Sequence, residues 1–149
     1  MQPTIRKVLY ATDFSEDTNQ ALEMATSLAR DNNAELLIVH VFDPPDPIAS
    51  MPAHSAVPDV SRAEEEHALQ RIEPPDPQVK FRHHLLDGAP ADAIVQFAEA
   101  EEADMIVMST HGRSGLSRLV MGSVAESVLR HAPCPVITVK APKNEPAKT

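Results

Sequence analysis

Apolar and polar positions divide the chain into short apolar runs separated by segments of helical periodicity. Ile5-Arg6-Lys7-Val8-Leu9-Tyr10-Ala11 is a β-prone run that ends in Thr12-Asp13-Phe14-Ser15. Ser15 reads as the N-cap of a first helix, with Glu16 and Asp17 complementing the dipole in its opening turn. Ala21, Leu22, Ala25, Leu28 and Ala29 recur at helical spacing, and Asp31-Asn32-Asn33 closes the stretch. Glu35 to Phe42 is almost continuously apolar, as in a strand covered on both faces of a parallel sheet. The proline-rich stretch from Asp43 to Val60 holds neither a helix nor a central strand and predicts a long loop. Ser61 to Ile72 reads as a short helix with Ala63, His67, Leu69 and Ile72 inward and the run Glu64-Glu65-Glu66 facing solvent. Val79 to Leu86 starts with the alternation of an edge or half-covered strand. Gly88-Ala89-Pro90 opens a helix whose buried face is Ile94, Val95, Phe97 and Ala98. Met105 to Met108 is a fourth strand, followed by a small-residue loop from Ser109 to Gly115. A last helix runs from Ser123 to Arg130, and Val136 to Val139 is a fifth strand.

The order β-α-β-loop-α-β-α-β-α-β predicts an α/β fold: an open five-stranded parallel sheet with helices on both faces, Rossmann-like in plan. Residues 1–141 read as one domain and 142–149 as a polar tail, in keeping with a length of 149 residues. Ligands of such sheets bind beyond the carboxyl ends of the strands, where the strand order reverses. That rule selects the loop Ala11–Ser15 and the loop Ser109–Gly115.

Charge narrows the partners. Thirteen Lys and Arg against 22 Asp and Glu give a net charge of −9, which argues against nucleic acid, whose affinity rests on basic residues. No apolar run is long enough for a membrane span, and a single cysteine, Cys134, fits a reducing compartment. A cytoplasmic location is therefore expected.

Three of the four glycines lie at Gly112, Gly115 and Gly122. Gly122-Ser123 opens the last helix, where unpaired N–H groups and the dipole favour an anion. Together these positions read as a phosphate cradle; the plainer alternative is a turn followed by an N-cap. Neither the P-loop pattern nor Gly-x-Gly-x-x-Gly occurs. His83-His84 is no metal pair, because successive strand residues point to opposite faces. Ser109, His111 and Asp13 lack the nucleophile elbow of a hydrolase, so no catalytic residue is assigned.

Three segments resemble the universal stress protein family: Lys7 to Ser15, Ala103 to Leu129, and His131 to Val139. The resemblance implies strand order 3-2-1-4-5 and binding of ATP, AMP or ADP, with Mg²⁺ carried through the phosphates. The nucleotide-binding branch of the family carries Gly-x-x-Gly, nine residues, then Gly-Ser or Gly-Thr. Gly112 and Gly122-Ser123 match this pattern, whereas Ser109 stands where the family has its first glycine. By the resemblance Asp13 contacts the ribose hydroxyls, with Thr12 beside it. Ala11 lines the adenine pocket, and Val41 reads the adenine edge through its backbone. Gly112, Arg113, Ser123 and Val124 surround the phosphates. The function implied is that of an ATP-binding sensor or regulator in stress response with slow hydrolysis at most. The alternative is a dimeric interaction module that binds no nucleotide, which the Ser109 departure favours. Val136, Ile137, Thr138 and Val139 form an exposed strand edge that a second copy would cover, so a homodimer through the fifth strand is expected. The stress signal and any further protein partner are not written in these residues.

Overall fold

The computed structural model describes residues 4–15, 18–44, 59–110 and 122–140, and every structural statement below concerns those residues. In chain order they form β1 (Lys7–Ala11), α1 (Thr18–Asn32), β2 (Glu35–Phe42), α2 (Asp59–Gln70), β3 (Phe81–Asp87), α3 (Pro90–Glu101), β4 (Met105–Ser109), α4 (Ser123–His131) and β5 (Val136–Val139). The strands make one parallel sheet in the order β3-β2-β1-β4-β5. This is the expected fold class and strand order.

Because strand side chains alternate between faces, the buried β1, β2 and β4 feed two cores. Leu9, Leu37, Val39, Ile106 and Met108 pack with Ile94 and Ala98 of α3 and with Ala125 and Val128 of α4. Val8, Tyr10, Leu36, Ile38 and Val107 pack on the other face with Ala21, Ala25 and Ala29 of α1 and with Leu69 of α2. The four-residue spacing of the three alanines gives α1 one smooth face against the sheet. Each fully buried Leu, Ile or Val contributes about 1.5–3 kcal/mol. The exposed Arg82 ion pairs with Glu35 and Glu101 fall in the class worth about 0–1 kcal/mol. Apolar burial therefore holds the fold.

The first helix is described from Thr18, since Glu16 and Asp17 lie outside the described residues; before it the Thr12 and Asp13 side chains accept the Phe14 and Ser15 N–H groups. The second starts at Asp59; Glu65 and Leu69 turn inward from it, with Ile72 just beyond its end, while Ala63 and His67 are exposed. Glu65 is charged, so a search for apolar periodicity passes it by. Most of the proline-rich stretch, 45–58, lies outside the described residues.

On the edge strand β3, His84 sits 4.7 Å from the Phe97 ring, and its buried Nε2 has no hydrogen-bond partner among the described residues. Loss of solvent pulls its pKa below the ordinary 6.5, with the Arg82 charge adding to the effect and Glu101 and Glu35 partly opposing it. Below pH 6.5 the unfolded chain then binds more protons at this residue than the folded one. Its contribution to stability is flat above that pH and falls as acid drives the pH toward the folded pKa. The expected result is that His84→Phe gains stability over wild type in urea unfolding as pH drops from about 7.5 to 5.5. A stability difference constant across that range would contradict the assignment.

Candidate functional site

The strand order reverses between β1 and β4, whose carboxyl ends lie side by side. Thr12 extends the β1 ladder by one bond, donating its N–H to Val39 O at 2.9 Å. Its Oγ1 then accepts the Phe14 N–H at 3.0 Å, and Asp13 Oδ1 accepts the Ser15 N–H at 3.0 Å. These two side-chain turns hold Phe14 at φ 67°, a left-handed conformation that costs a bulky residue energy. The Phe14 ring packs on the buried His40 ring with centroids 4.0 Å apart. A strained, cross-braced loop thus fixes the half-buried Asp13 at the end of β1.

On the β4 side, Thr110 donates its N–H to Val139 O at 3.0 Å, and Gly122 donates to Thr110 O at 2.7 Å. These bonds set the start of α4 against the end of β4. Gly122 is the N-cap, extended at φ −63° and ψ 152°, and it brings no side chain to cap the helix. The first intrahelical bond is Glu126 N–H to Gly122 O at 3.0 Å, so the N–H groups of Ser123, Val124 and Ala125 precede the helical ladder. The positive end of the dipole lies at the same place.

Between the loop after β1 and the start of α4 opens a cavity of about 320 Å³. Ala11, Val39, Val41, Met108 and Ser109 form its sheet side, and Gly122, Ser123, Val124 and Ala125 form the α4 side. Asp13 and Thr12 line it from the first loop, with Pro90 and Ile94 of α3 below. Thus eight of the sequence-derived ligand positions meet in one place: Ala11, Thr12, Asp13, Val41, Ser109, Gly122, Ser123 and Val124. Gly112 and Arg113 lie outside the described residues, as do His111 and Arg118. Ser109 ends β4 in register with Val139 and is not among the residues with positive φ, so the backbone there accepts a side chain without strain. The four β5 residues are half-buried on the sheet edge.

Sequence reasoning missed three residues of the cavity: His40 on β2, Asp43 just after it, and Glu65 on α2. Glu65 does not face solvent with its neighbours: its side chain is 25% exposed, and its Oε2 lies 3.3 Å from His40 Nε2. The other imidazole nitrogen, Nδ1, donates to Thr12 O at 2.7 Å. A signal was present, since a histidine inside an apolar buried strand must find polar partners. Among the described residues, no group of three or more His, Cys, Asp or Glu is placed to hold a metal ion, and no helix is long and apolar enough to cross a membrane.

Residues 4–140 match the model of the universal stress protein family. Universal stress protein MJ0531 of Methanocaldococcus jannaschii is 37% identical over 94% of this chain and 85% of its own length. The structure of MJ0577 from the same organism superposes with a TM-score of 0.72 at 28% identity, covering 96% of this chain and all of that one. A universal stress protein from Archaeoglobus fulgidus, solved in complex with dAMP, superposes with a TM-score of 0.63 at 26% identity and covers 93% of this chain and all of that one. The chain belongs to the universal stress protein family.

Proposed function

We propose that this protein binds an adenine nucleotide, ATP in the first instance, and acts as a sensor or regulator in stress response. The observation that carries the reading is the meeting of Asp13 with the uncapped N-terminus of α4 across a single cavity at the strand-order reversal. An ionised carboxylate accepts hydroxyl donors, which suits the ribose, and the N–H groups after Gly122 suit a phosphate. Ser123 and Val124 take part there, with Gly112 and Arg113 assigned by the family pattern alone. Ala11 and Val41 wall the base, and Ser109 sits beneath the ribose side. A relative solved with dAMP supports an adenine mononucleotide as the ligand class.

When bound, the nucleotide supplies a polyanion that draws Mg²⁺ with it; the described side chains offer no metal site of their own. Among the described cavity residues none is a lysine or arginine, the side chains that would stabilise charge developing on a transferring phosphoryl group, and the family pattern assigns Arg113 alone to the phosphates. Our reading is a binding protein with slow turnover at most. The β5 edge supports a homodimer in which Val136, Ile137, Thr138 and Val139 pair with their copies. The single cysteine suits a cytoplasmic location.

The interaction-module alternative rests on Ser109 in place of the family glycine. The unstrained backbone at Ser109 weakens it. One experiment separates the two: denature protein purified without added nucleotide, analyse the supernatant by chromatography with mass detection, and titrate ATP calorimetrically into stripped protein. Adenine nucleotide in the supernatant or a saturable ATP isotherm is the expected outcome. No nucleotide and no heat at millimolar ATP would leave the interaction module, and sedimentation equilibrium on the same sample reads the dimer.

A further inference from the structure

Asp13 sits just past the sheet, and the residues on either side of it lean on one side chain of the neighbouring strand. The register of β1 against β2 ends at Ala11 opposite Val39. Beyond that pair the Thr12 N–H still reaches Val39 O at 2.9 Å, and the Thr12 carbonyl oxygen accepts from His40 Nδ1 at 2.7 Å. A carbonyl oxygen only accepts, so Nδ1 carries the proton. Two consecutive residues of β2 therefore grip the Thr12 backbone, the first by its main chain and the second by its imidazole.

On the other side of Asp13, Phe14 holds φ 67°, a conformation that a bulky residue keeps only where its surroundings impose it. Its N–H is taken by Thr12 Oγ1 at 3.0 Å, and its ring lies on the His40 ring with centroids 4.0 Å apart and planes 38° from parallel. His40 thus meets the residue before Asp13 through a hydrogen bond and the residue after it through a ring contact. It is 6% exposed, between the buried Val39 and Val41, so the sheet fixes its place. Asp13 by contrast is half-buried on a loop. The rigid strand carries the brace and the loop carries the carboxylate, which is how a binding group becomes pre-organised.

We propose that His40 is a positioning residue for Asp13: by holding the Thr12 carbonyl and backing the Phe14 ring, it sets where the Asp13 carboxylate meets the ribose hydroxyls. The inference rests on the nucleotide reading above and adds the residue that aims its ribose contact. Bond and ring can be removed separately. His40→Phe keeps a ring against Phe14 but takes the donor away from the Thr12 carbonyl. His40→Asn gives up the ring but puts an amide nitrogen about where Nδ1 stands, so the donor is kept. Phe14→Ala removes the ring contact from the loop side. Phe14 is not among the described residues that line the cavity, so its effect on binding travels through the loop.

The readout is the affinity gap between ATP and 2′,3′-dideoxy-ATP in calorimetric titration, which isolates the hydroxyl contacts; inorganic triphosphate reports the phosphate end. Wild type is expected to favour ATP by about ten- to a hundredfold. In His40→Phe and in Phe14→Ala the gap should shrink to about threefold or less, with triphosphate affinity within about twofold of wild type. His40→Asn should keep most of the gap. In an Asp13→Ala background, His40→Phe should cost no further ATP affinity, because the group it positions is gone. A full gap in either His40→Phe or Phe14→Ala would overturn the proposal. So would equal losses of ATP and the dideoxy analogue in His40→Phe, the result of a histidine that only walls the cavity. Thermal unfolding checks each variant, and if His40→Phe does not fold, Phe14→Ala decides. Equal binding of the two nucleotides by wild type would overturn the ribose contact, and this inference with it, while leaving nucleotide binding intact. Absence of heat with ATP, its dideoxy analogue and triphosphate alike would overturn the nucleotide reading itself.

Discussion

Gly122→Asp is expected to abolish binding of ATP and inorganic triphosphate while leaving the protein folded. Gly122 is extended at φ −63°, a conformation open to any L-residue, so the backbone itself does not require glycine. Aspartate is among the best N-caps, and its carboxylate can accept from the N–H groups of Val124 or Ala125, adding roughly a few tenths of a kcal/mol to the helix relative to glycine. The same bond fills the place proposed for phosphate. A carboxylate and a phosphate charge about 4 Å apart repel by about 4 kcal/mol at the effective dielectric of a protein surface, a loss of about a thousandfold in affinity. Gly122→Ala separates the contributions, since it adds bulk without charge and leaves the N–H groups uncapped; a modest loss is expected. Thermal unfolding of the three proteins checks that folding is preserved. Wild-type ATP affinity in Gly122→Asp would sink the phosphate cradle.

This prediction draws on features of unequal legibility in the sequence. The sheet was readable because β2 is apolar on both faces, and β5 appears with the same bounds in the structure. The α3 start was readable from Pro90, which occupies the first turn as its fixed φ favours. Asp13 and Gly122-Ser123 were readable as a pair only through the rule that sites form where strand order reverses, together with the family pattern. What escaped was the α2 side of the cavity. Glu65 turns inward there while Arg62 pairs with Asp87 at the surface, and both depend on partners distant in the chain: His40 on β2, and Asp87. Amphipathic analysis ranks positions by apolarity and cannot see a charge turned inward by a histidine from another strand. The strained Phe14 escaped for a related reason, since its conformation is set by two local turns and by packing on His40.

Asp13→Ala should weaken ATP by about ten- to a hundredfold and leave inorganic triphosphate nearly untouched, because the carboxylate lining the cavity offers a phosphate no donor. Two consequences of the substitution must be separated. The carboxylate proposed to accept ribose hydroxyls is lost, and so is the Asp13 Oδ1 bond to the Ser15 N–H that braces the strained loop. Asp13→Asn retains an oxygen that can keep the turn but replaces the second acceptor by a donor. If ribose contact is the role, Asn binds ATP almost as weakly as Ala; if the loop brace is the role, Asn is close to wild type. A nucleotide lacking both ribose hydroxyls gives the decisive cross-check. Wild type should bind 2′,3′-dideoxy-ATP less tightly than ATP, and in Asp13→Ala that gap should close, since the deleted hydroxyls no longer have a carboxylate to meet. Equal losses of ATP and triphosphate would show that Asp13 supports the cavity as a whole, and a dideoxy gap that persists in the alanine variant would place the ribose against another wall.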